Sequence, residues 1–326
     1  VWNYIVRRTL YNIPVFLAII FVVMAALRVN DPVSAQLGKN ASQEQVDLLT
    51  QEYGLDDPFV VQYWDFLKGL ATIWNYDARS WDQGLPVSEM IAKAIPPSMA
   101  VTIPTLAMTA LISICVGLVS AANRGRGLDR SLMFVAVIGM SISVLVYIII
   151  GQYFGAFRPS QNIDGWPFQV TVDASAGESA FFFFSPANWI SYCMLPVMIN
   201  VVVALGYDTR FYRAVMVEES QRDYIRTARA KGASRARVMF IHMLKNAMIP
   251  IITRIMISLP FIITGSILVE VYFGIPGMGR TLINAINAKD FPVIQTFTAL
   301  FTALFIASNI LTDVLYALVD PRVRLQ

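Results

Sequence analysis

The sequence is poor in the residues that most catalytic and metal sites require. Its 326 residues include two cysteines and one histidine, which excludes a Cys/His metal cluster and a disulfide framework. Charged side chains make up only 14% of the chain, against roughly a quarter in ordinary soluble proteins. The 25 Lys and Arg against 22 Asp and Glu leave a net charge of +3, too balanced for a nucleic-acid binder. No G-x-x-x-x-G-K-[S/T] phosphate loop, nucleophile elbow or Rossmann glycine pattern occurs, so the chain is not expected to be an enzyme or to hydrolyse ATP itself. Hydrophobic residues are what it has in excess, 56% of the total, with a mean hydropathy of +0.57.

That excess is organised into runs long enough to cross a bilayer, which takes about 20 mostly apolar residues in a helix that satisfies its own backbone. Six are predicted: Thr9–Val29, Ser98–Ala122, Ser131–Phe157, Ala187–Tyr207, Ala247–Val271 and Phe291–Leu318. The expected fold is therefore all-α and polytopic, a single transmembrane domain over residues 1–326. With six spans, the termini and the second and fourth loops share one side and carry 16 Lys and Arg, while the other three loops carry 7. The positive-inside rule then places both termini in the cytoplasm. Arg7 and Arg8 before the first run give it the outline of a signal peptide, but Leu27-Arg28-Val29 offers no small-x-small cleavage pattern, and an uncleaved anchor is expected.

Residues 30–97 form a long extracytoplasmic loop, too long to be structureless in a compact domain. Ser42-Gln43-Glu44-Gln45 has capping-box spacing and Gly54 supplies a stop. Asp57-Pro58 predicts the start of a second helix through about Leu70, presenting Tyr63, Trp64, Phe66 and Leu67 to the span ends. Phe181–Phe184 are expected to anchor the chain at the membrane interface. Cys115 and Cys193 are read as small buried residues. Gly151-Gln-Tyr-Phe-Gly155 has the spacing for close helix packing.

The connection over residues 208–246 is unlike the others. It combines helix formers, acids at Glu218 and Glu219, and then Arg222, Arg226 and Arg229 at i, i+4 and i+7. Gly232 can end a helix through a left-handed turn. Such an element could insert into another protein's groove, and a basic loop resting on anionic lipid is the equally weighted alternative.

Thr227-Ala-Arg-Ala-Lys-Gly232 followed by His242-x-Leu-Lys-Asn-Ala-x-x-Pro250 resembles the EAA-type loop of binding-protein-dependent ABC importer permeases, and more narrowly the dipeptide/oligopeptide branch. Tyr4-x-x-Arg7-Arg8, Gly265-Ser266-x3-Glu270, Phe273-x-x-Pro276-Gly277-x-Gly279 and Asp313-x-x-Tyr316-x3-Asp320-Pro321-Arg322 extend the resemblance along nearly the whole chain. It implies a type I importer permease fold. The loop would dock as a coupling helix in a cytoplasmic ATPase, with Arg226, Thr227, Ala228 and Gly232 at the motif positions and Glu219 and Arg229 flanking them. It further implies a second homologous permease chain, two ATPase subunits that hold ATP and Mg, an extracytoplasmic substrate-binding protein, and residence in a bacterial or archaeal cytoplasmic membrane. No cofactor or metal is expected in this chain itself. Oligopeptides or dipeptides are the implied cargo; nickel or an oligosaccharide is the alternative within the class, and an ATPase-independent secondary transporter the alternative outside it. Arg254, Glu270 and Asp313 lie within spans and are candidates for the pathway or its gating. Arg254 is expected to reach the cytoplasmic interface, or else to face the pathway and attract a carboxylate.

Overall fold

A computed structural model of the chain describes residues 2–29, 33, 42–52, 54–71, 78–172, 182–258, 260 and 266–319. Five of its helices are long and apolar enough to cross a membrane, and six spans result if one sharply bent pair counts as a single crossing. Among the described residues the only strand-like feature is an isolated bridge between Arg79 and Pro86. Gly265, Asp320, Pro321, Arg322 and Phe181, all named above, lie outside the described residues.

Helix α1 (Trp2–Leu27) starts well before the predicted span and runs through Pro14 without a break. The described part of the long loop contains two short helices. The backbone N–H of Ser42 donates to Gln45 Oε1 (3.1 Å) and that of Gln45 to Ser42 Oγ (3.3 Å), the reciprocal capping box, at the head of α2 (Gln43–Glu52). Gly54 stops it at φ +62°. Helix α3 (Phe59–Ala71) begins one residue later than predicted, with the Pro58 carbonyl accepting from Val61 and Gln62. It packs on α1: Phe66 is buried with Ile20 and Met24, and the Tyr63 hydroxyl donates to the Leu17 carbonyl at 2.9 Å. Trp64, predicted on the same packed face, is instead exposed.

Helix α4 (Val87–Ala122) has 36 residues, about 54 Å at 1.5 Å per residue, so it projects well beyond the hydrocarbon and shortens the predicted loop. Pro104 sits inside it and cannot donate to the Ala100 carbonyl one turn back. The Trp189 indole N–H takes that place at 2.9 Å. The predicted third span is broken rather than straight. Helices α5 (Gly127–Ser141) and α6 (Val144–Gly151) meet at 91°, because Ile142 and Ser143 are extended. The Tyr147 hydroxyl, donating to the Gly139 carbonyl at 2.9 Å, spans the corner. Beyond α6 a π turn (Gln152–Phe157) continues the chain. Gly151 and Gly155 face Ile199 and Leu195, whose side chains would lie 2.5 and 2.9 Å from a Cβ at those positions. The G-x-x-x-G spacing is therefore a true packing seam.

Helix α7 (Met194–Glu219) carries the fourth span twelve residues past its predicted end at Tyr207. A short helix follows, α8 (Asp223–Ala230), and then a continuous helical run over Arg235–Ile257, 23 residues and long enough to cross a membrane, which passes through a π turn into α9 (Leu244–Ile257). The predicted fifth span does not continue as one described helix: α9 ends at Ile257, and α10 (Ile267–Phe273) is a separate piece. Then come α11 (Met278–Ala288) and α12 (Phe291–Val319). Helix α7 is the centre of the bundle, packed along α4 and α5, while α12 holds α1 and α9. Phe183 is fully buried in the core beside Cys193, Ile199 and Phe273; the phenylalanine cluster is thus partly core rather than an interfacial belt. Cys193 is buried as expected and Cys115 is exposed.

Candidate functional site

The segment that follows α7 is built from local rules. Arg222 is extended (φ −65°, ψ 148°) and starts α8, whose first turn carries Asp223 and whose last carries Arg229, in the order the helix dipole favours. At its end Gly232 adopts φ +78°, and the N–H groups of Gly232 and Ala233 return to the carbonyls of Arg229 (2.9 Å) and Ala228 (3.1 Å). A Cβ at Gly232 would meet nothing within 4 Å. Glycine is required there by the left-handed backbone, not by crowding.

One face of α8 is seated on the bundle. Ile225 and Ala228 are buried with Leu118 of α4, Met216 of α7, and Val238 and Met243. Arg226 and Thr227 are exposed on the opposite face, Arg229 is exposed on the flank, and Gly232 is exposed just beyond the helix. The six residues singled out for this loop therefore divide. Ala228 is a floor contact, and Glu219 is an internal brace that accepts the Tyr224 hydroxyl and lies 3.7 Å from Arg222. The other four are exposed. Burial, together with the Glu219 carboxylate, pushes the Tyr224 phenol up to about 12.

Beneath α8 lies a polar clamp that the sequence did not announce. Asp129, 3% exposed, accepts both Arg213 Nε (2.6 Å) and an Arg213 terminal nitrogen (2.7 Å). It also accepts the Ser120 hydroxyl (2.5 Å) and the Gly125 N–H (2.9 Å). One carboxylate thereby joins α4, the turn after it, α5 and α7. Arg235 adds a tie from the segment after α8 to the Ala122 carbonyl, at 2.5 Å.

The three charges within spans each have a definite partner. Arg254 Nε is 2.9 Å from Asp208 Oδ1, which ties it to α7. Asp208 is available because α7 stays helical past Tyr207, where the sequence reading placed a loop. Asp313 pairs with Arg8 at 3.0 Å, uniting two motifs from opposite ends of the chain. Glu270 is fully buried and is capped into place: it accepts the Ser98 hydroxyl (2.7 Å) and the N–H groups of Gly279 (2.8 Å) and Arg280 (3.1 Å). A Cβ on Gly277 would lie 2.5 Å from the Glu270 carboxyl carbon and from Ser98 Oγ. The Glu270…Gly277-x-Gly279 pattern is thus one local device, a carboxylate over the first turn of α11 with glycine leaving it room. Asp290 repeats the idea at α12: it accepts the Ser80 hydroxyl and the Trp81 N–H (3.1 Å), pinning the turn before α4. Among the described residues no group of three or more His, Cys, Asp or Glu side chains could hold a metal ion.

A helical bundle with five or six apolar spans, interrupted helices and one short amphipathic helix seated at its arginine-rich end is a multi-pass membrane protein. Residues 113–325 match the family described as binding-protein-dependent transport system inner membrane component, and residues 1–101 match its N-terminal counterpart; the chain belongs to this family. It is 33% identical over 98% of its length to a probable peptide ABC transporter permease of Sinorhizobium fredii, covering 99% of that protein. An oligopeptide transport system permease of Bacillus subtilis is 31% identical, with 98% of each chain covered. A glutathione transport system permease of Salmonella choleraesuis is 33% identical, with 99% of each covered.

Proposed function

We propose that this chain forms one half of the translocation pathway of an ATP-driven importer of short peptides. The observation that carries the reading is α8: a seated eight-residue helix whose outer face, with Arg226 and Thr227, is exposed, in a chain without a phosphate loop of its own. The energy for transport then comes from a partner, and α8 is the element a partner can push. Two cytoplasmic ATPase subunits holding ATP and Mg, a second related permease and an extracytoplasmic binding protein complete the assembly. Both termini and α8 lie on the cytoplasmic side of the cytoplasmic membrane, in keeping with the excess of basic residues there. Peptide cargo is supported by the names of relatives that match over nearly the full chain, and glutathione is itself a short peptide.

Gly232→Val tests the coupling role. A β-branched residue at φ +78° is strained by roughly 1–2 kcal/mol and displaces the end of α8 without touching the core. We expect normal membrane levels and a purified complex that still hydrolyses ATP, with peptide-stimulated hydrolysis and vesicle uptake reduced at least tenfold. Full uptake in that variant would remove α8 from the mechanism. Uptake of short peptides by wild-type vesicles without ATP would remove the importer reading altogether.

A further inference from the structure

At the arginine-rich end, between the last turn of α4 and the segment that follows α8, lies a cavity of about 610 Å³. Four arginines line it, Arg124, Arg126, Arg229 and Arg235, and no carboxylate does. Three other arginines at this end have carboxylate partners: Arg213 with Asp129, Arg222 with Glu218, and Arg226 with Asp223. None of the four lining arginines forms an ion pair among the described residues. Arg235 is nonetheless fixed, since one terminal nitrogen donates to the Ala122 carbonyl (2.5 Å) and to Asn123 Oδ1 (3.1 Å), leaving the rest of its fork open.

Four like charges around one concavity repel each other, and an anion seated among them removes that cost. A guanidinium fork matches a phosphate better than a single carboxylate, because it can offer two parallel N–H donors to two oxygens. The cavity's position narrows the source of the phosphate. Its lining includes Ala121 and Ala122, where the apolar helix α4 ends, and the buried apolar side chains of Val238 and Met243. A basic rim over an apolar floor at the end of a span is suited to a lipid headgroup with its glycerol and first methylenes below it.

We propose that this cavity binds the phosphate of an anionic phospholipid headgroup, held by Arg124 and Arg126 from one side and Arg229 and Arg235 from the other. The lipid thereby ties the turn after α4 to α8 and the segment behind it. This inference stands on the cavity and its charges and does not depend on what the chain transports.

The test uses the full-length chain, with whatever co-purifies, in mild detergent. Native mass spectrometry with added phosphatidylglycerol or phosphatidylcholine should show selective retention of phosphatidylglycerol. Arg124→Gln/Arg126→Gln should weaken it roughly tenfold or more, while Arg130→Gln, in the same stretch but outside the cavity, should leave it unchanged. Excess inorganic phosphate should not displace the lipid; displacement would assign the site to soluble phosphate and overturn the lipid as its occupant. A photoactivatable phosphatidylglycerol on the wild-type protein guards against misfolded variants, and should label residues 121–126 and 233–243. Equal retention of both lipids, unchanged affinity in the double variant, or labelling elsewhere, including on a partner chain seated over the cavity, would overturn the proposal.

Discussion

The two ends of the bundle bury their carboxylates in different ways. At the arginine-rich end, Asp129, Asp208 and Asp313 each face an arginine from another helix, Arg213, Arg254 and Arg8. At the opposite end, Glu270 and Asp290 rest on backbone N–H groups and a serine hydroxyl. There, the ion pairs among the described residues are local ones within a helix, Asp65–Lys68 and Glu89–Lys93. The difference follows from charge bias. The same excess of arginine that orients a membrane protein gives acids on that side a cationic partner within reach. On the basic-poor side, a buried carboxylate must be solvated by helix N-termini and hydroxyls instead. One end is therefore clamped by charge across helices, and the other by caps on short helices.

Exchanging carboxylates for amides should split the two ends sharply. In Asp129→Asn the new NH₂ cannot avoid a donor: one oxygen faces Arg213 and Ser120, the other faces Arg213 and Gly125. Leaving Arg213 without its charge partner should cost about 3 kcal/mol, read as a large drop in thermal stability in detergent and in membrane abundance. Glu270→Gln should cost about 1 kcal/mol. Its oxygen keeps the N–H groups of Gly279 and Arg280, and its NH₂ faces Ser98 Oγ, which also accepts the Met278 N–H, so the strain falls on a single hydroxyl contact. Equal losses from the two amide variants would mean that the ends are stabilised alike. Gly277→Ala tests the same cap from the other side: its methyl would fall 2.5 Å from the Glu270 carboxyl carbon, so it should destabilise more than Glu270→Gln.

Much of this was legible where the physics is local. The capping box at Ser42–Gln45, the stop at Gly232 and the seam at Gly151 and Gly155 all depend on residues a few positions apart. The Arg213–Asp129 clamp joins residues 84 apart, and Trp81–Asp290 joins residues 209 apart; no periodicity or spacing reports such a pairing. Asp208 was missed for a different reason. Helix α7 outruns its apolar stretch, and a loss of hydrophobicity marks the end of a membrane core rather than the end of a helix. The 91° corner in the third span was equally hidden, since Met140-Ser-Ile-Ser-Val144 contains neither proline nor glycine. What holds that corner is a tyrosine hydroxyl covering a carbonyl that a straight helix would have paired.

The Arg254–Asp208 pair sharpens the comparison further, because it is partly open, with side chains 39% and 16% exposed. Such a pair is expected to contribute about 1 kcal/mol. Arg254→Ala and Asp208→Ala should each lower stability and uptake modestly and to similar degrees, and the double variant should do little more than either alone. Loss of uptake in Arg254→Ala with full uptake in Asp208→Ala would assign Arg254 to the pathway and break the rule that each of these aspartates serves one arginine clamp.

The smallest effect is expected at the brace under α8. Tyr224 donates to Glu219, and its phenol is pushed up to about 12 by burial first and by that carboxylate second. A pKa raised on folding means that the folded chain holds the proton more tightly. The contact's contribution is therefore complete below the ordinary tyrosine value of about 10 and is lost only as pH rises through about 12. Within the physiological range the brace is constant, and α8 should behave as a fixed lever rather than a pH-dependent one. Tyr224→Phe should leave global stability within about 1 kcal/mol while loosening α8 locally, seen as severalfold faster amide exchange over residues 223–232. The floor contacts Ile225 and Ala228 keep the helix seated in that variant. If exchange there is unchanged, the apolar floor alone holds α8, and this end would be clamped by charge only beneath the helix and not at its own base.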